Sequence, residues 1–259
     1  MPQDQIFELR IASSADERRA AQRLRYEVFV AELGGDGPMV DHSMRLEIDR
    51  YDPYFDHLLL LDRRRGGSFA DQVIGAYRVM RETGAEAAGQ FYSADEFDLA
   101  PLLSSGLKLL ELGRSCVHPD YRGGAAMFHL WQGLADYVLE HEIELMFGAA
   151  SFHGTDLSKF AQPLSYLYHH HLAPESLRVR ARPEHYQTME LVPRQVLDRK
   201  AALVATPALI KGYLRLGGTV ADGAYIDHAF KTTDVCLILD TGRMNESQRR
   251  LYGQKPWVG

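Results

Sequence analysis

LGRSCVHPDYRGGAAMFHLWQGLADYV, residues 112–138, changes character in its middle. It begins as an apolar strand, turns through His118-Pro119-Asp120-Tyr121-Arg122-Gly123-Gly124, and continues with Met127, Leu130, Trp131, Leu134 and Val138 at helical spacing. The residue before a proline is pushed out of the helical region, so the strand should stop at His118. A plain strand-to-helix connection needs one glycine. This one has two, with an arginine beside them, where a helix opens. Free amides and the positive end of the helix dipole favour an anion at such a place. No Gly-Lys-Ser/Thr follows, so this is not a nucleotide P-loop. The buried run IELMFGAASF (143–152) comes next. Strand, turn, helix, strand predicts a βαβ-like unit with parallel neighbours.

Working outward, residues 6–11 read as a short strand. Ser14-Ala15-Asp16-Glu17 has the form of a capping box. The helix it opens should run to about Leu33, with Ala21, Leu24 and Val28 on its apolar stripe, and Gly34-Gly35-Asp36-Gly37-Pro38 should end it. HLLLLD (57–62) and VIGAYRVM (73–80) read as paired strands, and residues 84–106 as loops with a short helix. KLLELGRSCV (108–117) is the strand that leads into the glycine turn. Beyond it, PLSYLYHHHL (163–172) reads as a helix, RVRAR (178–182) as a strand or its approach, KAALVATPALIKGYLRLGG (200–218) as a helix broken at Pro207, and DVCLILD (234–240) as a closing strand. The expectation is an α/β fold with a mixed central sheet flanked by helices. Residues 1–160 would form the core, and 161–259 would complete the sheet and add a C-terminal extension, within a single structural domain.

A net charge of −6 speaks against a nucleic-acid binder, leaving only local basic patches as possible docking surfaces. Cys116 and Cys236 are the only cysteines, too few for a disulfide framework. The start, MPQDQIFELR, has neither a basic n-region nor an apolar stretch. The longest apolar run, around AALVATPALI, is too short to span a bilayer. A cytosolic protein is expected.

Several charged residues stand where a bland fold would not put them. Glu111 and Arg114 sit in an apolar strand, and strict alternation would send them to opposite faces unless a bulge at Gly113 intervenes. A charge there is costly unless paired or functional. In Glu47-Ile48-Asp49-Arg50-Tyr51-Asp52, an extended chain points Glu47 and Asp49 the same way, which suits an ammonium group, general-base work or a metal. Arg78 lies inside GAYRVM. Arg25 and Phe29 are one helical turn apart and, taken alone, read as surface decoration. Arg178, Arg180 and Arg182 alternate, as a solvated edge strand or a patch for an acidic partner would. His169-His170-His171 cannot converge on one ion, because consecutive helical residues diverge by about 100°, and no metal site is expected.

Taken together, these pieces resemble the GNAT acyltransferases. VHPDYRGGAAMFHLW is similar to that fold's pyrophosphate-binding turn, but the usual pattern would place glycine at Ala125 and glycine or alanine at Met127. That departure turns the expectation away from coenzyme A as donor. RYEVFV, EIDRYD, GAYRVM and ELGRSCV follow the order of motifs in the acyl-homoserine-lactone (autoinducer) synthases. LGRSCVHPDYRGGAAMFHLWQGLADYV, GAASFHGTD and IKGYLRLGG…DHAFKTTDVCLILD resemble segments of the ornithine lipid biosynthesis acyltransferases over nearly the whole chain.

That resemblance implies transfer of a 3-hydroxyacyl chain from acyl carrier protein to the α-amino group of L-ornithine, giving lyso-ornithine lipid. The co-substrate would be an acyl-4′-phosphopantetheine thioester, with no permanently bound cofactor. Arg78 or Arg114 would hold the acceptor's carboxylate, Asp49 and Asp52 would face its ammonium, and Glu47 or Glu111 would act as base, with Arg25 and Phe29 completing the acceptor site. His118, Arg122, Gly123 and Gly124 would hold the arm's phosphate. Direct attack by the amine needs no covalent step, so Cys116 has no required role. The amphiphilic product suggests peripheral contact with the inner membrane face, with Lys200–Arg215 as the candidate segment. The alternatives are an autoinducer-synthase-like enzyme with another amine acceptor, or a non-catalytic acyl-carrier or lipid-binding module.

Overall fold

A computed structural model describes residues 6–244. Along the chain the elements are β1 (Phe7–Ile11), α1 (Ala15–Arg25), β2 (Asp56–Asp62), α2 (Phe69–Gln72), β3 (Val73–Arg81) and α3 (Glu82–Ala88). Next come β4 (Phe97–Asp98), α4 (Ala100–Leu103), β5 (Leu109–Val117), α5 (Ala126–Glu140), β6 (Leu145–His153) and α6 (Ala161–His171). The chain closes with β7 (Arg180–Ala181), α7 (Arg199–Ala205), α8 (Ala208–Arg215), β8 (Thr219–Val220), β9 (Tyr225–Asp227) and β10 (Thr232–Asp240). Two compact units result. The described part of the first is 6–88 with 112–142, and that of the second is 89–111 with 143–244.

In the first unit, Ser14 Oγ caps α1 by accepting the Glu17 N–H at 3.2 Å. Glu17 reaches back one residue further than the capping-box pattern implies, accepting from the Ser13 N–H at 2.6 Å. The helix does not keep its α register to Leu33. From Tyr26 to Glu32 it widens into π turns, with the Leu33 N–H bonded to the Val28 carbonyl.

β1, β2 and β3 pair antiparallel, with a bulge that shifts register between Leu60 and Leu61. HLLLLD is apolar without alternation because both faces of β2 are covered. Leu59 and Leu61 pack with Ala20, Ala21, Leu24 and Val28 of the α1 layer. Leu58 and Leu60 look the other way, toward α5, where Gly75 and Gly133 allow close approach of Leu130 and Leu9. The Leu112–Val117 part of β5 lies beside β3.

In the second unit, β5 runs parallel to β6 over Leu109–Glu111, as the βαβ reading requires. β6 and β10 pair antiparallel along their length, from Leu145↔Asp240 to His153↔Thr232. The short strands β8 and β9 both pair with β10, while β4 and β7 form a ribbon of their own. The segment with Pro207 forms two helices, broken at Thr206-Pro207 as expected.

Gly75 tests the layering. A Cβ there would stand 3.0 Å from Leu130 Cδ1 and 3.2 Å from Leu60 Cβ, both belonging to fully buried side chains. Gly75→Val should therefore cost about 1–3 kcal/mol, read as a lower urea midpoint at unchanged slope. An unchanged midpoint would mean that α5 and β2 leave more room than this packing implies.

Candidate active site

The centre of the first unit is a cluster of charge. Three arginines reach it from three elements: Arg25 ends α1, Arg78 lies in β3, and Arg114 interrupts β5. Three carboxylates, Glu47, Asp49 and Asp52, come from the segment before β2. Arg25 and Arg78 are each only 1% exposed. A guanidinium so desolvated must find carboxylates, and each does.

Arg25 donates through Nη1 to Asp52 Oδ1 at 2.6 Å and through Nη2 to Asp52 Oδ2 at 3.2 Å, and its Nε pairs with Glu47 Oε2. Its Nη2 also donates to the Glu47 carbonyl at 3.0 Å. Arg78 donates from Nη1 to Asp52 Oδ1 at 2.8 Å, lies 2.7 Å from Asp49 Oδ2 through Nη2, and stacks 4.2 Å from the Phe55 ring centre. Gln22, one turn before Arg25, donates to Asp52 Oδ2 at 2.9 Å. The Asp49 N–H meets the same oxygen at 3.3 Å, and Asp49 Oδ1 accepts from the Tyr51 N–H at 2.9 Å.

Arg114 takes a left-handed backbone, φ 50°, in the middle of a strand. A non-glycine residue in that region is strained and clusters at functional positions. Its Nε donates to Glu47 Oε1 at 3.1 Å, and its Nη2 lies 3.7 Å from Asp49 Oδ2. Gly113 leaves room beside it for the Arg78 guanidinium: a Cβ there would meet Arg78 Nε at 3.4 Å. Arg114 and Asp49 keep 14% and 18% of their side-chain surface, whereas Glu47 keeps 1%. They form the solvent-facing edge of the cluster.

Burial alone would raise all three carboxyls, but the arginines overcome it. Arg25 and Arg78 hold Asp52 far below the carboxylate range, Arg25 and Arg114 depress Glu47, and Arg78 depresses Asp49. His57 enters β2 beneath them and bonds through Nε2 to the Asp52 carbonyl at 3.0 Å. Burial, then Arg25, push it down to about 4, so it is neutral. Burial pushes the Cys116 thiol up to about 12, where it is no thiolate nucleophile.

The remaining expected residues stand elsewhere. Phe29 is half-buried and packs on the Leu24–Leu61 cluster. Glu111, buried in the second unit, accepts the Tyr92 and Ser93 N–H groups at 2.7 and 2.5 Å. On the turn after β5, Gly123 adopts φ 75°, which favours glycine. Arg122 makes a two-pronged pair with Glu32 at 2.6 and 2.7 Å and donates to the Val117 carbonyl at 3.1 Å. His118 Nδ1 accepts the Asp120 N–H at 3.3 Å, and its Nε2 lies 3.5 Å from Arg65 Nη2. The histidine run diverges, His169 Nε2 bonding to the Val192 carbonyl while His170 and His171 lie against Tyr166. Gln22, Glu32, Phe55 and His57 were not singled out from the sequence. Gln22 could have been, since it lies three residues before Arg25 on the same helical face.

Asp52→Asn leaves Arg25 and Arg78 short of a buried partner and should destabilise the protein by about 3–5 kcal/mol. The depressed carboxyls add stability that is complete above their ordinary values near 4 and is lost as pH falls through the lower folded-state values. Urea midpoints should thus fall as pH drops below about 4, and less steeply in Asp52→Asn. Equal slopes in both proteins would place the acid lability outside this cluster.

An acetyltransferase (GNAT) domain family matches residues 24–132, from the end of α1 into the first half of α5. The L-ornithine N(alpha)-acyltransferase of Rhodobacter capsulatus is 57% identical over 249 residues, covering 96% of this chain and 95% of that protein. The protein of the same name from Brucella abortus is 44% identical over 95% of this chain and 89% of its own. Among solved structures, the AHL synthase LasI superposes with a TM-score of 0.52 at 15% identity, covering 98% of both chains, a likeness of fold. With full-length identities this high, the chain belongs to the L-ornithine N(alpha)-acyltransferase family and is built on the GNAT fold.

Proposed function

We propose that the protein transfers a 3-hydroxyacyl chain from the phosphopantetheine thioester of acyl carrier protein to the α-amino group of L-ornithine, releasing the carrier thiol and giving lyso-ornithine lipid. The observation that carries this reading is the balanced cluster of three arginines and three carboxylates with Arg114 and Asp49 at its edge. Ornithine presents a carboxylate and two ammonium groups, and that edge offers one cation and one anion side by side. Arg78 is buried against Asp49, Asp52 and Phe55, which leaves Arg114 to meet the α-carboxylate. Asp49, held in place by the Tyr51 amide, takes the side-chain ammonium, and Asp52 anchors the arginines behind it.

The amine must lose a proton before it attacks. Glu47 is the carboxylate of the cluster that bonds Arg114, and it receives that proton through water. Its depressed basicity means that it passes the proton on without storing it. Glu111 is given a positioning role by its two amide donors. No acyl-enzyme is needed, and the protonated Cys116 fits direct transfer.

On the donor side, the Arg122–Gly124 turn takes the single phosphate of the arm, the guanidinium exchanging part of its pairing with Glu32. The family relationship supports an acyl donor and an ornithine acceptor. The acyl carrier protein is the finer choice made here. Among the described residues no helix is long and apolar enough to cross a membrane, and we place the enzyme in the cytoplasm with peripheral contact to the membrane that receives its product.

Purified protein should convert 3-hydroxyacyl-acyl carrier protein and ornithine to acyl-ornithine, read by mass spectrometry against lysine, glutamine and S-adenosylmethionine. Acylation of S-adenosylmethionine alone would overturn the assignment in favour of an autoinducer-type acceptor. Glu47→Gln should lower kcat by ~10²–10⁴, and Cys116→Ser should keep near-normal turnover. Because free amine is scarce at neutral pH, kcat/KM for ornithine should climb as pH rises past about 8. Arg122→Ala should raise KM for the acyl-carrier substrate roughly tenfold, more steeply at low salt, and leave KM for ornithine unchanged. A rise in the ornithine KM alone would detach the turn from donor binding.

A further inference from the structure

The peripheral-membrane reading above is the premise of this inference, which gives that contact a place. In the second unit, α6, α7 and α8 line a cavity of about 780 Å³. Arg199, Lys200, Lys211 and Arg215 contribute to its lining, and among the described residues no carboxylate does. The whole chain carries −6, yet Arg194–Arg215 holds Arg194 and these four cations against Asp198 alone. Asp198 is occupied in capping α7, where it accepts the Ala201 N–H at 2.9 Å. Among the described residues Arg199, Lys200 and Lys211 form no ion pair. Lys211 Nζ is steered by the Leu203 carbonyl at 3.2 Å. Arg199, Lys200 and Lys211, clustered and without carboxylate partners among the described residues, repel one another, an arrangement that an anionic ligand relieves.

The apolar residues point to the kind of ligand. Leu203, Leu214 and Tyr166 line the same cavity. Val204 also lines it and is 75% exposed, and Val196, three residues before Arg199 in the chain, is 68% exposed. A site for a small soluble anion has no use for aliphatic side chains standing in water. Helices that combine a basic face with protruding aliphatic side chains suit the boundary between headgroups and acyl chains. We propose that this cavity seats the phosphate-bearing headgroup of an anionic lipid while Val204 and Val196 enter the acyl boundary, so that α7 and α8 dock the enzyme on an anionic membrane surface.

The full chain should co-sediment with vesicles of phosphatidylcholine mixed with phosphatidylglycerol, but not with phosphatidylcholine alone, and raised salt should release it. The double variant Arg199→Glu/Lys200→Glu changes two exposed residues and should weaken partitioning by roughly thirtyfold or more. Val204→Ser should weaken it severalfold with every charge in place. In a vesicle-free assay with acyl carrier protein and ornithine, all three proteins should turn over alike. No wild-type sedimentation with anionic vesicles, or charge reversal without effect, would overturn the proposal. Charge-reversed protein that loses vesicle-free turnover while the wild type ignores vesicles would also overturn it, and would give the patch to the acidic carrier. Sedimentation does not depend on acylation, so failure of the acceptor assignment would be seen separately.

Discussion

Asp52 accepts from Arg25, Arg78 and Gln22 at once, and the arrangement of the first unit depends on it. Two guanidinium groups removed from water would cost several kcal/mol each without partners. One carboxylate satisfies part of both, and Glu47 and Asp49 supply the rest. None of this is the cheapest way to fill a core, since apolar residues of similar volume often serve stability as well. What the network provides is position. The end of α1, the segment before β2 and the strands β3 and β5 are tied at fixed distances by bonds with directional requirements. The exposed edge, Arg114 and Asp49, inherits that precision.

Much of the fold was legible because burial writes itself into apolar runs. HLLLLD, VIGAYRVM and DVCLILD are strands for the reason they look like strands, and Pro207 breaks its helix where it stands. The π turns at Tyr26–Glu32 were not legible, because an extra residue per turn leaves no composition signature. The short strands β4, β8 and β9 were not legible for a related reason, since two or three residues cannot display a period, whereas β7 falls inside RVRAR, which reads as a strand or its approach.

In the site, the charges in apolar strands were readable as anomalies, and Arg78 and Arg114 are found in the cluster. Arg25 was the instructive case. By spacing alone it resembles decoration, yet it follows Leu24 on the buried side of α1, where a cation requires an acid. The requirement was visible, but the acid that meets it lies 27 residues away, across a segment whose path no local pattern gives. Glu111 shows the opposite limit. Its burial could be anticipated from its strand, but the two amides that occupy it come from the start of a 3-10 turn, Tyr92–Asp95, distant in sequence.

The same network constrains how the reaction can respond to its surroundings. The carboxyls are held below their ordinary range, His57 is neutral above about 4, and Cys116 keeps its proton to about 12. Across the whole span between those values, these groups carry the same charges. A fixed field of this kind is already arranged before substrate arrives, so no reorganisation is required when charge develops. It also means that none of these groups is a strong base held in reserve. In the transfer proposed above, the acceptor's amine, and none of these groups, is then the member that titrates between those limits.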